Sequence, residues 1–368
     1  LEREALDADA VADQLVTDHV ATAVSAGVAC RAGVPPHRAW RSEIGGASST
    51  FFDLASLTKP MTAVAVARAK IERTAELASL LPELAGTASA KVTIEHLLSH
   101  RAGLEAHVPL YRPVLRGDPF DTAAALREAA NARRADAQGP IPVDGFTPLY
   151  SDLGFILAGE ALARAVGARD AGEAIERLVV EPLGAGTQLG TARELEARGV
   201  DLMLLAAPTE DVDWRGGVVR ARVHDENAWA LAGDGGAGHA GMFGQARAVL
   251  AFGCAVFEGL VGQSGPLGVS GGLRWLMAPR PGGTLRAGFD GKAPEGSSAG
   301  TVAGPRTFGH LGFTGTSLWI DPDAAAVTVL LTNRVHPTRE NTAIRAARPR
   351  AHDALFARAR VLGAKVAG

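Results

Sequence analysis

What most restricts the fold of this chain is where its β-prone and helix-prone stretches fall: strand-like runs lie near both ends, with helical, Ala/Arg-rich sequence between them. Near the start, Val28–Ala32 and Arg38–Ser42 read as two short strands around the turn Gly33–Val34–Pro35–Pro36, a hairpin. Near the end, Thr307–Ile320 and Ala325–Thr332 read as two β runs joined by Asp321–Pro322–Asp323. From about Glu105 to about Val200 the periodicity is mostly helical, over Thr122–Ala135, Leu153–Val166 and Ala171–Val180, with proline loops such as Gly139–Pro142 interrupting it. Further helices are predicted over 8–26 (capped by Asp7 or Asp9), Ser56 to Ile71, Val92–Leu98 (capped by Thr93), Ala246–Leu260 and about Asn341 to Leu362. Gly45–Thr50, the glycine-rich Gly233–Gly244 and Pro279–Gly304 read as irregular segments. This layout predicts an α+β architecture with a helical insertion.

Bulk properties exclude several function classes. With 368 residues, the chain suits two domains or one domain with a large insertion. A net charge of −3 gives no electrostatic footprint for nucleic acid or an anionic membrane. No apolar run approaches the roughly 18 residues a membrane span needs. No basic stretch followed by an apolar one marks an export signal, and a cytoplasmic location is expected. The two cysteines, Cys30 and Cys254, sit in apolar runs and read as buried, unpaired thiols.

Three segments carry side chains suited to chemistry. In Ser56-Leu57-Thr58-Lys59, positions i and i+3 of a helix share one face. A serine hydroxyl needs a base to become a nucleophile, and burial at a helix start is expected to draw a lysine amine toward neutrality. The competing reading is a helix cap with a surface lysine; the apolar neighbours Leu54, Ala55, Leu57, Met61 and Val64 argue against it. In Tyr150-Ser151-Asp152, one of only two tyrosines follows a proline-bounded loop, where its phenol can act as a second proton carrier or be a buried tyrosine with a satisfied hydroxyl. In Phe308-Gly309-His310-Leu311-Gly312-Phe313-Thr314-Gly315, glycines inside a predicted strand suit close approach of a substrate carbonyl, or mark a bulge with a structural histidine.

Together these segments resemble the motifs of the serine β-lactamase and penicillin-recognising family, in the branch holding class C β-lactamases, DD-peptidases and esterase relatives. Ser56-Leu57-Thr58-Lys59 is similar to its Ser-x-x-Lys motif, Tyr150-Ser151-Asp152 to its Tyr-x-Asn motif, and His310-Leu311-Gly312 to its third motif, often Lys-Thr-Gly but His-x-Gly in many relatives. Thr93–His100, Gly238-His239-Ala240-Gly241 and Leu331-Thr332-Asn333-Arg334 also resemble family sequence. The resemblance implies a β-lactamase/transpeptidase-like fold: an antiparallel sheet with both terminal helices on one face, a discontinuous α/β domain over 1–105 and 236–368, and a mainly helical domain over 106–235. It implies an acyl-enzyme on Ser56 activated by Lys59 and Tyr150, and an oxyanion held by the N–H groups of Ser56 and Phe313. His310, Gly312 and Asp152 would complete the substrate site, with no metal or organic cofactor. Expected substrates are small-molecule esters or amides. A β-lactamase or DD-peptidase is the second reading, and a non-catalytic binding or sensor module on the same fold is the third.

Two departures from the family pattern bear on activity. Asp152 stands where Asn is usual, and a carboxylate beside the amine favours its charged form. His310 stands where drug-hydrolysing members have a lysine for the substrate carboxylate, which favours a less anionic substrate; Arg334 is a candidate replacement anchor.

Other patterns are read as structural. Gly268-Val269-Ser270-Gly271-Gly272 fits Gly-x-Ser-x-Gly, but the apolar strand that a nucleophile elbow requires does not precede it. His224-Asp225-Glu226-Asn227 is expected to be hydrogen-bonded loop rather than a metal site. His96 and His100 are assigned capping or packing roles, and His239 a structural one.

Overall fold

The computed structural model describes residues 5–33, 38–262, 265–268 and 270–364. Val34–Pro36 of the predicted hairpin turn and Val269 lie outside the described residues. The main sheet is antiparallel and has six strands, in the order Ala39–Gly46, Val24–Ala32, Ala326–Thr332, Ser317–Asp321, Phe308–Leu311 and Asp290–Gly291. The two ends of the chain therefore meet at its centre, where Val28 pairs with Thr328 and Ala26 with Leu330.

Strand alternation gives this sheet two buried faces. Val24, Ala26, Val28 and Cys30 point one way and, with Ala326, Leu330 and Trp319, pack on the helices Ala8–Thr17 and Ile344–Ala364. Ala29, Val327, Val329 and Leu331 point the other way, into the larger core that includes Phe252 of the helix Ala246–Val261. His352 of the last helix bridges the sheet, its ring nitrogens 2.8 Å from Ser317 Oγ and 2.9 Å from Thr328 Oγ1. Both terminal helices lie on one face, as the family resemblance implies.

Several sequence expectations need correction. The helix predicted over 8–26 ends at Thr17, and residues 24–26 belong to the first strand. The apolar spacing of Val20, Ala23 and Val24 fits both periods, and pairing with the last strand decides between them. The run Thr307–Ile320 is two strands, separated by a tight connection in which Gly312 N–H donates to Thr316 O at 2.7 Å. Helix Ala171–Val180 changes after Ile175 into a wider helical turn. Cys30 is buried, Cys254 partly so, and both are free thiols. Among the described residues no helix is long and apolar enough to cross a membrane.

Candidate active site

Ser56 lies in a single 3₁₀ turn, Ala55–Leu57, that feeds the helix Thr58–Arg68. Ala55 has φ +47°, a conformation that costs a non-glycine residue about 1 kcal/mol or more. The surroundings hold it there. Ala55 N–H donates to Asp53 Oδ1 at 2.7 Å, while Asp53 Oδ2 accepts from His224 N–H at 2.7 Å. Two threonines from the connection after Phe308–Leu311 fasten the same segment: Thr314 Oγ1 donates to Asp53 O at 2.7 Å and Thr316 Oγ1 to Leu54 O at 3.0 Å. Ser56 and the Gly312–Phe313 backbone are thereby fixed relative to each other.

Lys59 is completely buried. Its ammonium has three N–H donors and three acceptors: Ser56 Oγ at 2.8 Å, Asp152 Oδ1 at 2.7 Å and His239 O at 3.4 Å. The last acceptor explains the glycine-rich segment. Gly238 passes between two helices so closely that a Cβ there would lie 2.0 Å from Phe155 O, and its own carbonyl accepts from Thr62 Oγ1 at 2.7 Å. A side chain at 238 would push His239 O away from Lys59.

The expectation that burial draws Lys59 toward neutrality is corrected. Burial acts in that direction and is the largest single influence, but the Asp152 carboxylate together with Tyr150 outweighs it, and the amine is held above the ordinary lysine range. Asp152 responds in kind: burial pushes its carboxyl up, and Lys59 with His107 pulls it well below the usual carboxylate range. At neutral pH the pair is an ion pair.

Tyr150 stands beside them, its ring centroid 4.8 Å from Lys59 Nζ. It is 36% exposed, so one side faces the cleft. Burial of the phenol raises its pKa, while Lys59 and hydrogen bonding with Lys59 and Ser56 act against this; the net direction is up. His100 positions it. Its ring stacks on Tyr150 at 4.7 Å, and its Nδ1 accepts from Ser151 N–H at 3.0 Å. Sequence reading assigned His100 only capping or packing; its φ of +60° and this hydrogen bond are visible only in three dimensions.

His310 is buried 5.8 Å from the Tyr150 ring, with Nδ1 2.8 Å from Leu311 O. That carbonyl requires the proton on Nδ1, so Nε2 is an acceptor. Burial pushes the ring down to about 3, so it is neutral at physiological pH. Phe313 is half-exposed at the cleft, and its carbonyl takes two bonds from Arg334, Nε at 2.9 Å and Nη2 at 2.7 Å. Arg334 Nη1 is committed to Arg339 O and Asn341 O. Four of its five N–H donors go to main-chain carbonyls, so its first role is to shape the Phe313 wall.

Ser56, Tyr150, Asp152, His310, Gly312 and Phe313 all line one cleft of about 560 Å³. The residues read as structural have evident partners. His96 forms a capping box with Thr93. His224 pairs with Glu210, Asp225 with His239, and Glu226 with Arg339, while Asn227 bonds Val108 O. Residues 265–268 form only an isolated bridge, and a helix runs over Ser270–Met277, so among the described residues no strand leads into it. His107 was missed by sequence reading. It sits in the cleft wall with Nδ1 3.7 Å from Asp152 Oδ2, and a lone loop histidine carries no pattern by which to find it.

Comparison with known proteins bears on the family and the fold. The sequence model of the beta-lactamase family matches residues 8–352. The chain belongs to the beta-lactamase family. Proteins of this family are generally serine hydrolases. A curated relative from Escherichia coli (strain K12), named "Putative D-alanyl-D-alanine carboxypeptidase", is 27% identical over 207 residues, covering 52% of this chain and 46% of the relative. The match thus spans about half the length of the curated relatives. Among solved structures, EstCE1, a hydrolase with promiscuous acyltransferase activity, has a TM-score of 0.66 at 20% identity, covering 94% of this chain and 96% of its own. A class C beta lactamase from Rhodobacter sphaeroides has a TM-score of 0.64 at 18% identity, covering 95% and 98%. At these identities the structural likeness establishes the β-lactamase/transpeptidase-like fold.

Proposed function

We propose that this beta-lactamase-family protein forms an acyl-enzyme on Ser56 and hydrolyses an ester or amide of a small molecule. The observation that carries the reading is the buried Lys59 amine bridging Ser56 Oγ and Asp152 at the floor of a cleft flanked by Tyr150. A pure binding module has no use for this acid–base set. Ser56 Oγ bonds to the substrate carbonyl carbon as its proton passes to Lys59, with Tyr150 alongside. Lys59 accepts that proton only after surrendering one of its own. The N–H groups of Ser56 and Phe313 hold the oxyanion, and such a donor is typically worth about 10²–10³ in rate. Tyr150 protonates the leaving group, and water activated by the same pair releases the acid. The neutral His310 supports a substrate without a carboxylate at that position.

The test is labelling by a fluorophosphonate probe together with turnover of short p-nitrophenyl esters. Wild type is expected to do both and Ser56→Ala neither; undiminished labelling of Ser56→Ala refutes the assignment.

One observation favours the second reading, a β-lactamase or DD-peptidase. Arg348 is buried with no carboxylate partner among the described residues, bonding Gly312 O at 2.7 Å and Thr316 O at 3.0 Å, and it lines the cleft beside Arg345. Burial, then Arg334, push it down to about 10, so it remains charged. Such a cation suits a substrate carboxylate. Turnover of a chromogenic cephalosporin that collapses in Arg348→Met supports this reading; turnover of uncharged esters alone supports the first.

A further inference from the structure

If Ser56 is deprotonated by Lys59, as proposed above, the ammonium must first lose a proton, and the groups around it decide where that proton goes. Ser56 Oγ is itself the group to be deprotonated, and His239 contributes only a carbonyl. Tyr150 is a neutral phenol. His100 and His310 are both pushed down to about 3, chiefly by burial, and each Nδ1 is already bonded, to Ser151 N–H and to Leu311 O. Asp152 touches Lys59 but is a weak base on its own.

On the far side of Asp152 stands His107, with Nδ1 3.7 Å from Oδ2 and a side chain 43% exposed to the cleft. The backbone sets this approach. Asp152 N–H donates to Ala106 O at 2.9 Å, and Ser151 Oγ donates to Glu105 O at 2.6 Å. The residue after Ala106 is thus brought to the carboxylate. The charged groups facing His107 are Asp152, then Asp225 and Glu226 from the start of the helix Glu226–Ala232; Asp225 is paired with His239 and Glu226 with Arg339. All three carboxylates favour the imidazolium, and they outweigh partial burial, holding the ring above the ordinary histidine range.

We infer that His107 is a positioning residue for the reaction, taking through Asp152 the proton that Lys59 must lose. One N–H bond of Lys59 breaks as Asp152 Oδ1 takes the proton; rotation of the carboxyl then brings that protonated oxygen to the His107 side, where its O–H bond breaks and an N–H bond forms on His107 Nδ1. The total charge is unchanged. Asp152 exchanges an ammonium partner for an imidazolium partner, and Lys59 is left as a free amine against Ser56 Oγ. The gap of 3.7 Å is closed by rotation of the half-exposed ring or spanned by one water. An asparagine at 152, the usual family residue, cannot pass a proton in this way, so the departure at 152 and the histidine at 107 work together.

The sign of the pH effect follows. The active arrangement holds the same number of protons as one with Lys59 charged and His107 neutral. Activity therefore rises as pH passes the titration of His107, and without His107 the rise is displaced toward the lysine range.

The experiment is a cycle of wild type, His107→Gln, Asp152→Asn and the double variant, with kcat/KM for p-nitrophenyl butyrate measured from pH 5 to 10. Histidine side-chain NMR titrations accompany it. Expected results are a loss of tenfold or more for His107→Gln at pH 7.5, recovered toward pH 10, and less than a twofold effect of the same change in the Asp152→Asn background. His107 is expected to titrate above pH 6.5 in wild type and lower in Asp152→Asn. An unshifted pH profile in His107→Gln, equal losses in both backgrounds, or a His107 titration indifferent to Asp152 overturns the inference. Labelling of wild type but not Ser56→Ala keeps the hydrolase reading separate: it stands or falls on that comparison, and the NMR result does not depend on turnover.

Discussion

Replacing Lys59 with methionine isolates what the buried ion pair contributes. At 2.7 Å and an effective dielectric constant of about 20, the attraction between Lys59 Nζ and Asp152 Oδ1 is about 6 kcal/mol, and desolvating the two ions cancels much of it. Methionine fills nearly the same volume but leaves the carboxylate without its cation and His239 O without a donor. Removing one partner of a buried pair typically costs about 3–5 kcal/mol. Asp152 is 21% exposed toward the cleft, which lets water offset part of this, so about 3 kcal/mol is expected. For 368 residues at about 2.1 cal/mol/K each, the unfolding entropy is about 0.8 kcal/mol/K, so Tm should fall by about 4 °C. The double variant Lys59→Met/Asp152→Asn should recover at least half of the loss, because no unpaired charge remains. The effect has a pH window. The depressed Asp152 pKa contributes stability present above the unfolded value near 4 and lost as pH falls through the folded one; the raised Lys59 pKa contributes stability lost as pH rises past about 10. The gap between wild type and Lys59→Met should thus be full from about pH 5 to 9 and narrow below about pH 4. Differential scanning fluorimetry across pH reads this directly. A single variant as stable as wild type at pH 7, or a double variant no better than the single one, would refute the account.

Three further outcomes are expected. Thr316→Val, alone or with Thr314→Val, should loosen the tie between Ser56 and Phe313, lowering kcat/KM at least tenfold in steady-state assays while costing about 1–2 kcal/mol of stability per lost hydrogen bond. Gly238→Ala should be among the most damaging changes, since its Cβ would meet Phe155 O at 2.0 Å; a Tm lowered by several degrees, or insoluble expression, checks it. His100, His310 and His352 are each pushed down to about 3, principally by burial, so each contributes stability that is full above about pH 6.5 and declines, by up to about 1.4 kcal/mol per pH unit, as pH falls toward 3. Tm should drop steeply below pH 6, and the slope should ease in His352→Gln.

Much of the candidate site was legible because the proposed chemistry needs particular residue types at short spacings. Ser56 and Lys59 are three apart, and a helix puts them on one face; their 2.8 Å contact needs nothing remote. Thr93 was readable as a cap for the same reason, since a cap is a contact within one turn. Tyr150 and the His310–Phe313 segment were found through rarity and misplaced glycines, which mark a position without stating what it touches. The helix end at Thr17 was misjudged because residues 20–24 fit two periods and the deciding partner lies about 300 residues away.

What the sequence determined by itself is therefore the local part: the α+β layout, the Ser-x-x-Lys face, the capped helices, and the presence of an acid where the family pattern has an amide. Tertiary structure alone decided the charge states. Whether Lys59 holds its proton depends on Asp152 arriving 2.7 Å away from a position 93 residues further on, and whether that proton can leave depends on a loop histidine that no pattern marks. Proton affinity is set by distance and by exclusion of water, and both are properties of the packed chain.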